Sequence, residues 1–193
     1  MNILVDDLPT SVTINGETYE LNTNFKDCLK IIVAFEDPEL TQIEKQVIML
    51  SILYKEIPSD IEKAHKAAIE FLNCGDEFES GIDTNDGIGR LYSFEKDSKY
   101  IFSAILQTYG IDLEQTEYLH WWKFVNLFFD LNENCFFNRL VYLRRQKKLG
   151  KLTKDELQQY NNLGDIVELP EEKSTEEKEQ ISEFLRLLGE SKT

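Results

Sequence analysis

The stretch EYLHWWKFVNLFF, residues 117 to 129, is the tightest constraint on what this chain can become. Drawn as a helix, it puts Leu119, Trp122 and Phe129 on one side, and His120, Phe124, Leu127 and the following Leu131 on a neighbouring one. Trp121, Val125 and Phe128 fill a third. A helix apolar on nearly every side is buried on nearly every side. The segment is therefore expected to be the central helix of a domain, or one whose remainder another subunit covers. Its N-cap is expected at Asp112 or Thr116. Adjacent tryptophans point about 100° apart on a helix, so they form no single stacking platform. Only Lys123 carries positive charge here, against Glu117 and Asp130, whereas single-strand nucleic-acid binders pair their aromatics with a cationic groove. No nucleophile or orienting carboxylate accompanies His120 at a recognisable spacing, so a hydrogen-bonded core histidine is a simpler reading than a general base. The whole stretch reads as core.

The flanking sequence supplies elements to pack around it. Asn15-Gly16 in SVTINGETYEL marks a type I′ hairpin turn, pairing Ile14 with Glu17 and Val12 with Tyr19. Val12, Ile14, Tyr19 and Leu21 then share one face, and ILV at 3 to 5 is a candidate third strand. Asn24 caps the helix FKDCLKIIVAFE. Asp37-Pro38 or the capping box Thr41-x-x-Glu44 opens a second helix with the stripe Ile43, Val47, Leu50 and Tyr54. A box at Ser59-x-x-Glu62 opens a third, ending near Asn73 and Gly75. Residues 75 to 89, with four glycines and five acidic residues, read as a loop. Further helices are expected over 90 to 109, stopped by Gly110, from about Glu133 to Lys148, and from the box Thr153-x-x-Glu156. Beyond Gly164 the run ELPEEKSTEEKEQ reads as a solvated tether leading to ISEFLRLLG, where Ile181, Phe184, Leu185 and Leu188 share one face of a short helix. The expected fold is mainly α. One domain over residues 1 to 164 holds about six to seven helices and an N-terminal β-hairpin, and residues 165 to 193 form a detachable acidic tail ending in an amphipathic helix.

Charge and ligand chemistry exclude several functions. The formal charge of −15 opposes general affinity for nucleic acid or an anionic membrane. It fits simple solubility, and less simply a decoy that imitates DNA. No window approaches the ~18 apolar residues of a membrane span, and the N-terminus lacks the pattern of a secretory signal. Cys28, Cys74 and Cys135 are odd in number and far apart, which suits reduced thiols in a cytoplasm. With His65 and His120 they make no zinc spacing, so no metal or other cofactor is expected. DTNDGIGRLYSFE begins like a calcium loop at Asp83 and Asn85, then fails at Gly87, Ile88 and Phe94. Nucleotide and hydrolase motifs are absent as well, and nothing selects an enzyme.

One charge cluster stands out. Arg139, Arg144, Arg145, Lys147, Lys148, Lys151 and Lys154 are seven basic residues with no acidic residue between them. The simpler reading is a helix C-terminus, where cations suit the dipole, paired internally with the acidic tail. The functional one is a docking patch for an acidic partner or a second copy in a homo-oligomer.

Residues 92 to 131 resemble a family of siphophage proteins encoded between the major tail protein and the tape measure protein in phages and prophages of Gram-positive bacteria. The resemblance rests on Tyr92, Phe94, Asp97, Tyr100-Ile101, the run Tyr109-Gly110-Ile111-Asp112-Leu113, and above all Leu119-His120-Trp121-Trp122-Lys123-Phe124. It implies a tail assembly chaperone, acting in virion morphogenesis in the host bacterial cytoplasm. Such a protein coats the tape measure protein, recruits tail-tube subunits and leaves before the virion is complete. It brings no catalytic residues. The chain starts at Met1 with no sign of being the extended half of a frameshift fusion, an arrangement common among such chaperones, which leaves its place in the pathway open. The rival expectations are a DNA-mimicking inhibitor of a host nuclease or defence protein, and a minor structural tail component.

Overall fold

A computed structural model describes residues 2–75 and 88–170. The calcium-like positions Asp83, Asn85 and Gly87 and the apolar row Ile181, Phe184, Leu185 and Leu188 lie outside the described residues. The element order is β1 (Ser11–Ile14), β2 (Glu17–Glu20), α1 (Phe25–Glu36), α2 (Gln42–Leu53), α3 (Ile61–Leu72), α4 (Ser98–Tyr109), α5 (Trp121–Phe129), α6 (Phe136–Lys148) and α7 (Lys154–Leu163), followed by a short 3-10 turn, Gly164–Ile166. The protein is mainly helical with an N-terminal hairpin, as its sequence indicates.

The hairpin has the expected register, with Val12 opposite Tyr19 and Ile14 opposite Glu17. Asn15 and Gly16 both take positive φ, which the turn requires. Ile14 and Leu21 are buried while Thr13, Thr18 and Glu20 face solvent, so the alternation decides the face. The expected third strand is absent. Residues 3 to 5 form a turn closed by the Asn2 carbonyl, and Ile3, Leu4 and Val5 are exposed.

Helices with strong local signals start where those signals lie. Asn24 caps α1, and the boxes Thr41/Glu44 and Thr153/Glu156 cap α2 and α7 reciprocally. Gly110, at φ 70°, ends α4. Elsewhere the boundaries move. The cap of α3 is Asp60 rather than Ser59; its carboxylate accepts from Lys63 N at 3.2 Å and from Asn15 Nδ2 at 3.0 Å, tying helix start to hairpin tip. Residues 90 to 97 are not helical, because the Ser93 hydroxyl and the backbone N–H groups of Phe94 and Glu95 turn to the Glu36 carboxylate at the end of α1. The expected α2 stripe is half right. Leu50 and Tyr54 are buried but Ile43 and Val47 are exposed, and Lys45, Met49 and Leu53 form the buried row instead. Lys45 buries its stem there and places its ammonium on the Phe35 carbonyl at 2.8 Å.

One main core joins the hairpin face to α1–α5 and the start of α6. A smaller one gathers Leu140, Leu143 and Val167, with Tyr100, Leu152, Tyr160 and Leu163 against it. Val167 is fully buried, so the packed chain runs past the boundary expected after residue 164. Its acidic neighbours solvate the segment, yet one apolar side chain and its backbone carbonyl hold it down. No helix among the described residues is long and apolar enough to cross a membrane.

Candidate functional site

The tryptophan pair sits at the first turn of α5 rather than inside a longer helix. Asp112 and Thr116 do not cap it: Asp112 accepts from Glu114 N and Gln115 N, closing a separate turn. The chain then stays out of helix through 117 to 119, where an antiparallel bridge forms between Asn24 and His120. Phe25 N donates to Leu119 O at 2.9 Å and Trp121 N to Thr23 O at 2.7 Å. Asn24 Nδ2 reaches Glu117 O at 2.8 Å. The starts of α1 and α5 are thus stitched back to back, and His120 becomes the cap of α5.

His120 is fixed as one neutral tautomer. Its Nδ1 accepts from Trp122 N at 3.1 Å, so the proton lies on Nε2, which donates to Pro9 O at 2.9 Å. Burial depresses its pKa below the ordinary 6.5, with Lys123 adding to the effect and the Pro9 bond opposing it. Since the native state resists the proton, this contribution to stability is complete above the unfolded value. It falls away as pH drops through 6.5 towards the lowered native value. The stability difference between wild type and His120→Asn, which keeps a capping side chain, should therefore shrink between pH 7.5 and 5.5 in urea titrations. Parallel pH profiles would contradict this.

The two indoles end a different helix. Trp121 Nε1 donates to Leu72 O and Trp122 Nε1 to Phe71 O, both at 2.8 Å. These carbonyls belong to the last turn of α3, where helices leave acceptors without partners. Side chains about 100° apart on α5 thereby converge on consecutive carbonyls. Beyond them Gly75, at φ 78°, passes so close that a Cβ there would meet the Trp122 ring at 3.1 Å. Phe124 stacks on Trp121 and on Phe25, with centroids 5.7 and 5.2 Å apart. Tyr109 joins two other helix ends. Tyr109 OH donates to Leu127 O and Asp130 O at 3.0 and 2.6 Å, joining the end of α4 to the end of α5. α5 itself is not buried all round, since Lys123 and Phe129 are exposed.

The basic cluster is divided by the fold. Arg144 is buried and forks onto Asp97, Nη1 to Oδ2 at 2.6 Å and Nη2 to Oδ1 at 2.9 Å. It also donates to the carbonyls of Leu91, Ile166 and Val167. It is a staple between chain segments, not part of a docking patch. Lys148 donates to Ile88 O and Arg90 O at 2.9 and 2.8 Å. Arg139 bonds Gln159 and lies over Tyr142, and Lys147 lies over Tyr160. Arg145, Lys147, Lys148, Lys151 and Lys154 keep exposed surface. Asp97 has no spacing that reveals its partner, but Arg144 does: it lies four residues after Leu140 and seven after Phe137, on the buried stripe of α6.

Among the described residues no group of three or more His, Cys, Asp or Glu could hold a metal ion. Burial lifts the Cys28 thiol far above the ordinary range, with Asp27 adding to it, which leaves it protonated and inert. What the recognisable residues define is a helical protein whose distinctive side chains brace one another. The chain belongs to the bacteriophage Gp15 protein family, whose model matches residues 4–169. Searches of curated proteins and of solved structures return no match.

Proposed function

We propose that this phage protein is a non-catalytic tail assembly chaperone. It covers apolar helical faces of the tape measure protein, recruits tail-tube subunits in the host cytoplasm and is absent from the finished particle. Membership of a phage family supplies the setting, and the likeness of residues 92 to 131 to proteins encoded beside the tape measure gene supplies the task. One observation carries the non-catalytic part. Apart from the exposed Lys123, the polar groups of the tryptophan signature and Tyr109 are spent inside the fold: His120 on a cap and Pro9, the indoles on Phe71 and Leu72, Tyr109 on Leu127 and Asp130. They brace helices and offer nothing to a substrate.

The test is coexpression with the tape measure protein of the same genome. The tape measure protein should become soluble and copurify with this chain, and purified virions should lack it. An insoluble tape measure protein despite abundant soluble chain, or the chain in virions at tail-tube stoichiometry, would overturn the reading.

A further inference from the structure

The second helix carries an apolar stripe that is only half used. Ile43, Val47, Leu50 and Tyr54 follow one another at helical spacing. Leu50 and Tyr54 are 6% and 2% exposed, and the Tyr54 hydroxyl donates to Ala64 O of α3 at 2.8 Å. Val47 and Ile43 are 59% and 74% exposed. The stripe that meets α3 at one end emerges from beneath it at the other. Local helix stability does not explain these residues, because β-branched side chains are poorer helix formers than the straight-chain residues an exposed position can take. Two of them on successive turns, continuous with a buried row, make a patch rather than a scatter.

The charge that α2 and the turn before it bring to this patch is one-sided. Glu44 is held beside it by the capping box with Thr41, and Glu39 stands exposed just before the helix. The only cation of α2, Lys45, is withdrawn to the buried side and bound to the Phe35 carbonyl. The exposed surface of α2 is therefore an apolar row with anionic and amide neighbours and no positive charge. We infer that Ile43 and Val47 form a docking surface for an amphipathic helix of a partner chain whose apolar row is flanked by lysine or arginine. Identifying that chain with the tape measure protein rests on the chaperone reading, whereas the surface and the chemistry it selects do not.

The test uses the full-length protein and two synthetic helical peptides about four turns long, with one leucine row flanked by lysine in the first and by glutamate in the second. By calorimetry the lysine peptide should bind and the glutamate peptide should not, with binding weaker at higher salt. Ile43→Ser/Val47→Ser should bind the lysine peptide at least about tenfold more weakly at unchanged melting temperature, since both residues are exposed and together act as an anchor. That variant retains the protein's whole charge, so undiminished binding would mean general electrostatic adhesion and overturn the proposal. Equal binding of both peptides would overturn the charge selection. Two other occupants would also overturn it. A self-association abolished by the variant would assign the patch to a second copy. A drop in melting temperature on mutation that disappears in a chain ending at Pro170 would assign it to the protein's own C-terminal segment. If the wild type takes the lysine peptide but never the tape measure protein, the chaperone reading fails and this one stands.

Discussion

Replacing Trp122 by alanine should destabilise the fold by roughly 3–5 kcal/mol, the usual cost of truncating a large aromatic in a packed core. The ring lies against Phe71 and His120, with centroids 6.0 and 6.2 Å away, and forms the wall on which Gly75 rests. Helix α3 cannot simply close the gap, because Trp121 holds its last turn by a separate bond to Leu72 O. The Phe71 carbonyl keeps a second donor in Cys74 N, so most of the loss is packing rather than an orphaned acceptor. Trp122→Phe should accordingly recover the larger part of the stability. Chemical denaturation measures both variants. In the native protein, tryptophan emission should be blue-shifted and poorly quenched by iodide, since both indoles are buried. A loss below about 1 kcal/mol for Trp122→Ala would show that the clamp on α3 is dispensable.

Where structure followed sequence, the deciding interaction was local. Asn15-Gly16 sets the hairpin because only two residues need positive φ, and Thr41 and Glu44 bond each other across one turn of helix. Where it departed, a partner distant in sequence had claimed the backbone. Periodicity draws residues 117 to 131 as one helix, yet Leu119 O and Trp121 N are committed to Phe25 and Thr23. Likewise, residues 90 to 97 alternate too weakly to resist Glu36, whose carboxylate takes Ser93 Oγ at 2.6 Å and Phe94 N at 2.9 Å. The α2 stripe misled because lysine counts as polar in a pattern, although four methylenes let Lys45 fill a core position. The signature is a partial exception. His120 and the tryptophans read as core from composition alone, but that they brace the end of α3 follows only from the placement of Phe71 and Leu72.

Arg144→Met should cost about as much as Trp122→Ala, roughly 3–5 kcal/mol, for an electrostatic reason. The ion pair it breaks is almost wholly out of water, with Asp97 at 0% and Arg144 at 3% exposure. Methionine fills much of the space but leaves the Asp97 carboxylate to the neutral Ser93 N–H at 3.0 Å without its guanidinium. It also strips a donor from the carbonyls of Leu91, Ile166 and Val167. Arg144→Lys keeps the charge but not the fork, so it should fall between. The double variant Asp97→Leu/Arg144→Met separates the two parts of the loss. It removes the uncompensated charge, which a buried apolar pair can replace at little cost, but not the need of three carbonyls for donors. It should therefore be more stable than Arg144→Met and less stable than wild type. The damage has a place as well as a size. Val167 is held by its burial beside Leu140 and Leu143 and by this guanidinium, so hydrogen exchange at Val167 N should accelerate in Arg144→Met more than at the middle of α1. If Arg144→Met stays within about 1 kcal/mol of wild type, Arg144 fills space rather than stapling the chain.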